Sequence, residues 1–191
     1  ILSLPDSKWK WRMMQSATVF ADMLQKNHKK QSWDILFCSD MLNLAEFKGL
    51  AGNKIRNLKS ILYFHENQLT YPIRYSRKKD YSFIIANSTS ALCADKIWFN
   101  SGFHRDNFLT ELKKFYENMP DYHPKGLVEK IKSKSEIKYP GIESVDFKIP
   151  EKQPKIKTIT WAARWEHDKN PEDFFNALQN MDQDHEVEVV G

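Results

Sequence analysis

Cysteine, glycine and long apolar runs are all scarce in this chain. Its two cysteines, Cys38 and Cys93, make neither a disulfide framework nor a zinc motif. Each lies among apolar residues, so both are expected to be buried free thiols, and a reducing, cytoplasmic setting fits them. No apolar stretch approaches the roughly 20 residues that span a bilayer, and Ile1–Leu4 is too short for a signal peptide. The six glycines build no Gly-rich nucleotide loop of the dinucleotide or Walker type. His167-Asp168 offers too few ligands for a metal. Asp182-Gln183-Asp184 falls in a polar turn between a helix and a strand. No metal and no bound cofactor is therefore expected. Internal repeats and low-complexity tracts are missing as well. The first residue is not Met, and Val189-Val190-Gly191 reads as a strand reaching its turn, so both ends are expected to be cut from something longer.

What is present is enough for a packed protein. The chain has 191 residues, 41% hydrophobic and 13% aromatic, so it can bury a core and is not disordered. Its formal charge of +4 and pI near 8.9 are compatible with a polyanionic partner. The basic residues gather in three places: Lys26, His28, Lys29 and Lys30; Arg74, Arg77, Lys78 and Lys79; and Lys125, Lys130, Lys132, Lys134 and Lys138, the last diluted by Glu129 and Glu136.

Strands alternate with helices. Residues 12–26 carry Met13, Ala17, Phe20, Ala21 and Leu24 at helical spacing. Strands are expected at Asp34–Cys38, Lys59–Phe64, Lys96–Asn100 and Glu136–Tyr139. Helices are expected at 81–94, with a face of Ala86, Ser90, Ala91 and Ala94, through Phe108, Leu112, Phe115 and Met119, and at 126–133. Pro140-Gly141-Ile142 and then Pro150 and Pro154 mark a linker. After it the pattern restarts with strand Lys157–Ala162, helix Glu172–Met181 and strand Glu186–Val190. This implies an α/β protein with parallel sheets: one domain over 1–145, a linker over 146–155, and the start of a second domain over 156–191.

Two segments carry chemistry. Ile61–Pro72 runs as an apolar strand and then breaks into His65, Glu66, Asn67 and Gln68. Open α/β sheets place ligands outside the carboxyl ends of their strands. The second segment, Trp161–Asp173, offers Asn170 as N-cap and Pro171 as first helical residue. A helix N-terminus attracts phosphate, and Arg164 with Lys169 would neutralise a diphosphate there.

Trp9-Lys10-Trp11-Arg12, Ser39-Asp40 with Leu42-Asn43-Leu44, Tyr63–Gln68, Phe99-Asn100-Ser101 and Arg164 through Glu172 together resemble the tRNA-queuosine mannosyltransferases. This group has long been described as glycosyltransferase-like domain-containing proteins and is related to the retaining GT-B glycosyltransferases. The resemblance covers nearly the whole chain. It implies a GT-B fold, with two Rossmann-like domains facing each other across a cleft. This chain would lack the start of the first domain, a strand and a Gly-Gly-Ser loop. It would also lack most of the second domain, including the acidic residue that grips the donor. The resemblance implies transfer of a hexose, mannose from GDP-mannose, to queuosine in the anticodon of tRNA, without a metal. It implies catalytic roles for His65 and Glu66 and a donor-diphosphate role for Arg164 and Lys169. Trp11, Arg12, Asp40, Asn67, Gln68, Asn100 and Ser101 would hold the acceptor or line the cleft. A piece of this length is expected to be inactive alone. Two alternatives stay open: a related GT-B enzyme with another sugar nucleotide and a lipid or polysaccharide acceptor, and a non-catalytic nucleotide- or RNA-binding α/β module.

Overall fold

The alternation of strand and helix builds two parallel sheets. A computed structural model of the chain describes residues 1–5, 7–27, 30–72, 80–144, 146 and 156–191. Described residues 1–71 and 80–141 form one unit, and those from 142 onward belong to a second. His28 and Lys29, the whole of the second basic cluster, and all of the expected linker except Asp146 lie outside the described residues.

The first unit begins with α1 (Trp9–Asn27). Then follow β1 (Ile35–Ser39), α2 (Leu44–Leu50), α3 (Asn53–Arg56) and β2 (Lys59–Phe64). It continues with α4 (Tyr81–Cys93), β3 (Lys96–Phe99), α5 (Gly102–Glu117), α6 (Leu127–Lys132) and β4 (Ser135–Ile137). The sheet order is β1-β2-β3-β4, every pair parallel. Successive strands that step the same way through right-handed crossovers put their helices on one face.

Burial follows that geometry. Leu62, Phe64, Ile97 and Phe99 are fully buried and join Ala17, Leu44, Phe47, Ile84, Phe108 and Leu112 of the helices in one core. Phe64 and Phe99 stack with centroids 4.9 Å apart, and Phe108 packs on both at 5.0 and 5.8 Å. The opposite face carries Phe37, Tyr63 and Trp98, with Phe37 6.2 Å from Tyr63 and 5.9 Å from Trp98. Strands of a parallel sheet are usually buried on both faces. Here Phe37 stays 57% exposed.

The structure departs from the sequence pattern in several places. The helices α2 and α3 are additions to it. Their signal is present in the chain: Asn43 accepts the N–H of Glu46 at 3.3 Å, an Asn-x-x-Glu helix start. The buried face of α4 centres on Phe83, Ile84, Asn87, Ser88, Ser90 and Ala91, with Ala86 only half-buried. The Ser90 hydroxyl takes the Leu44 N–H at 2.9 Å, which docks the start of α2 against α4. Cys38 is buried, and burial pushes its thiol up to about 12. Cys93 is only half-buried. Met119 lies beyond the end of α5.

The amino ends of β2 and β3 are tied by one carboxylate. Asp95 accepts Lys59 Nζ at 3.0 Å and the Ser60 N–H and hydroxyl at 2.9 Å each. The buried Lys48 donates to the Leu58 carbonyl at 2.9 Å and to the Ser60 hydroxyl oxygen at 3.0 Å. Lys134 is engaged similarly by the carbonyls of Leu92 and Ala94, at 2.7 and 2.5 Å. It precedes β4, whereas Lys138 follows it, so the third basic cluster does not form one continuous face.

The second unit pairs β5 (Lys157–Ala162) with β6 (His185–Val190), again parallel, and α7 (Pro171–Gln179) lies between them in the chain. Trp161 packs on Phe174 at 4.6 Å.

Acid should loosen the first unit through Asp95. Burial alone would raise this carboxyl, but hydrogen bonds from Lys59 and Ser60 outweigh burial and hold it at about 2, below the ordinary 3.8. A folded value below the unfolded one gives stability that is present above pH 3.8 and lost as pH falls towards 2. Asp95→Asn should therefore flatten urea-unfolding stability between pH 4 and 2. An unchanged slope over that window would rule the carboxylate out as the tie.

Candidate active site

Level strand ends bring the first polar residues together. Ser39 pairs with Tyr63, and Phe64 with Phe99. Each ladder then runs one residue further: the Asp40 N–H reaches Tyr63 O at 3.0 Å and the Asn100 N–H reaches Phe64 O at 3.2 Å. Asp40, His65 and Asn100 thus emerge side by side at the carboxyl ends of β1, β2 and β3.

Asp40 is 2% exposed. Its Oδ1 lies 2.5 Å from His65 Nδ1 and accepts the His65 N–H at 3.3 Å. Its Oδ2 is buried without a hydrogen-bond partner among the described residues. The hydrogen bond to Asp40 lifts the His65 pKa above its ordinary 6.5 against the pull of burial, and the charges of Asp40 and Glu66 add to the rise. With Nδ1 engaged, Nε2 is the nitrogen left to meet a ligand, on a ring 46% exposed.

Beneath His65 lies a histidine that sequence reasoning missed. Asn100 donates its amide to His65 O at 2.7 Å, so its oxygen faces His104 Nδ1 at 2.9 Å. Asn67 uses its oxygen on the N–H groups of Leu69 and Thr70, at 3.0 and 2.9 Å. Its amide then faces Thr70 Oγ1 at 2.8 Å and His104 Nε2 at 2.7 Å. An acceptor at Nδ1 and a donor at Nε2 leave one arrangement: neutral His104 with its proton on Nδ1. Burial agrees, since it lowers the His104 pKa. Ser101 caps α5 by accepting the His104 N–H at 3.1 Å. The missed signal was periodic, because His104 sits four residues before Phe108 on the same buried face.

The other expected site residues separate. Asn67 is buried, and its side chain orders the loop and His104. Gln68 enters through its backbone, donating to Asn87 Oδ1 at 3.2 Å, while Asn87 donates to Asp40 O at 3.0 Å. Glu66 is half-buried. Trp11 is 59% exposed on α1. Arg12 lines a cavity of about 790 Å³ beside Ser39 and Met41, with Phe37 at the β1 edge. Its Nε is buried without a hydrogen-bond partner among the described residues.

In the second unit Arg164 is exposed just past β5, and Lys169 pairs with Asp168 at 2.7 Å. Asn170 stands at the N-cap position of α7 as expected, but its side chain accepts no capping N–H. It takes φ 51° and donates its amide to Asp173 at 2.7 Å, with Pro171 following at the first helical position. Among the described residues no group of three or more His, Cys, Asp or Glu is placed to hold a metal. No helix there is long and apolar enough to cross a membrane.

A family model described as tRNA-queuosine alpha-mannosyltransferase N-terminal matches residues 1–142. The chain belongs to that family. A Drosophila melanogaster tRNA-queuosine alpha-mannosyltransferase is 34% identical over 204 residues, covering 100% of this chain and 53% of its own length. The chain thus spans about half the length of that mannosyltransferase. No solved structure matches it.

The two histidines of this family member shift in opposite directions, so their stability signatures should too. His104, lowered by burial, gives stability that falls as pH drops below the ordinary 6.5. His65, raised by Asp40, gives stability that is full below 6.5 and falls as pH rises through its folded value. His104→Ala should cost about 1–3 kcal/mol for each amide group stranded and erase the acid-side slope in urea titrations. Wild-type stability with the slope intact would contradict the network.

Proposed function

We propose that the full-length protein is a glycosyltransferase of the retaining GT-B type. It moves a hexose, mannose from GDP-mannose, onto queuosine in the anticodon of tRNA, in the cytoplasm. The observation that carries this reading is the Asp40–His65 pair at the carboxyl end of a parallel sheet, in a chain of this family. Ligands of open α/β sheets sit at that end. His65 Nε2 would contact a hydroxyl of the transferred sugar, with Glu66 beside it and Asn100 and Ser101 shaping the floor. On this reading the first domain takes the acceptor and the second the sugar nucleotide, and residues 1–191 alone do not turn over.

Breaking the sugar–phosphate bond builds charge on the departing diphosphate. Arg164, Lys169 and the start of α7 would stabilise it. Lys169 would exchange its pairing with Asp168 for the donor phosphate, and a charge-assisted bond to phosphate is worth roughly 1.5–3 kcal/mol. Arg164→Ala and Lys169→Ala in the full-length enzyme should therefore each weaken GDP-mannose binding about ten-fold or more by calorimetry. Normal affinity in both would remove the diphosphate assignment.

The tRNA assignment has its own test. Cells lacking the full-length gene should lose a hexose-bearing queuosine nucleoside by mass spectrometry of tRNA digests. An unchanged nucleoside profile would overturn the acceptor. Lys125, Lys130 and Lys132 are exposed. Neutralising them should lower the salt slope of tRNA binding by about 0.7–0.9 for each phosphate they would otherwise neutralise, whereas Lys134, engaged with carbonyls, should act on stability instead.

A further inference from the structure

We propose that Asp40 is the positioning residue of the site: it orients the His65 ring through Nδ1 so that Nε2 is presented to the substrate. This rests on the proposed role of His65. The case begins with how firmly Asp40 is held. Its N–H is bonded to Tyr63 O at 3.0 Å and its carbonyl receives Asn87 Nδ2 at 3.0 Å. Its Oδ1 takes both the backbone N–H and the ring nitrogen of His65. The carboxylate, its carbonyl and the ring therefore share one frame with the sheet.

A purely structural role fits poorly. Burying a carboxylate carries a desolvation penalty that a single partner seldom offsets, and an asparagine could accept the same His65 N–H without charge. Asp40 instead leaves Oδ2 buried and unpartnered among the described residues. Such a group in a native fold points to a functional demand. The demand that a charge meets and an amide does not is control of the facing imidazole. A carboxylate only accepts, so the nitrogen beside it must carry hydrogen. That assigns the His65 proton to Nδ1 in the neutral ring and turns Nε2 outward, as a carboxylate partner does for other working histidines. Among the described residues, the charged and titratable groups around His65 are Asp40 and Glu66, which favour its proton, and His104, whose own shift opposes a second charge.

The experiment uses full-length protein with isotope-labelled histidine. In wild type, ring nitrogen shifts should show neutral His65 protonated at Nδ1. In Asp40→Asn the His65 titration midpoint should fall, the neutral ring should populate both tautomers, and kcat should drop about 10–100-fold, the usual loss for a partner one step behind a working group. The pH profile of kcat should shift in the same direction as the midpoint. Asp40→Glu, which restores the charge, should recover part of both. If His65→Ala turns over normally, the site reading itself fails. If His65→Ala is impaired but Asp40→Asn changes neither midpoint nor pH profile, the site reading stands and Asp40 is structural. Should Asp40→Asn not fold, the wild-type tautomer still decides, because a neutral ring protonated at Nε2 overturns the proposal.

Discussion

One buried carboxylate organises the carboxyl end of the first sheet. Asp40 closes the β1 ladder through its N–H, holds α4 through Asn87 at its carbonyl, and grips His65 twice through Oδ1. Remove it and three elements lose a common point. Burying such a group is costly, and the position of the cost is informative. It falls where ligands of parallel sheets bind, and not among Phe64, Phe99 and Phe108, whose rings pack on one another in the core.

The two ends of the sheet divide their tasks. At the amino end, Asp95, Ser60, Lys48 and Lys59 satisfy one another with little left over. That is a closed network whose charges lock β2 to β3. At the carboxyl end the network closes beneath the surface and leaves two openings among the described residues: the second nitrogen of the half-exposed His65 ring and the buried Asp40 Oδ2. Sites on rigid elements hold geometry better than sites on loops, and His65 is one residue past a buried strand.

The fold was largely legible because hydrophobic periodicity survives in the sequence. Lys59–Phe64 and Lys157–Ala162 are the strands expected, and 81–94 is α4 to within a residue. The α2 helix was hidden because its Asn-x-x-Glu start sits in a run that also reads as a loop. At the site, the polar burst gave the location but not the division of labour. His65 through Gln68 look alike in composition. Which of them turns inward depends on what distant elements offer: Asn67 is buried because His104, on α5, supplies an acceptor for its amide. Likewise the third lysine cluster hides one member, Lys134, whose partners, Leu92 and Ala94, lie at the end of α4 before the neighbouring strand β3. Local sequence cannot reveal a partner on a distant element.

His65 and His104 show why that distant partner matters for chemistry. Asn100 links them, donating to the backbone of one and accepting from the ring of the other. Their pKa values are pushed apart, up at His65 by the bond to Asp40 and down at His104 by burial. Two titratable groups whose environments separate them in this way take separate roles. His65 holds a proton more readily than an ordinary imidazole, because it is bonded to Asp40, while His104 holds one less readily, with each nitrogen already committed. The amide of Asn100 then keeps its orientation whatever the charge on His65. The Asn67, Asn100 and His104 bonds beneath His65 are thus set by uncharged partners and do not depend on the charge that His65 carries.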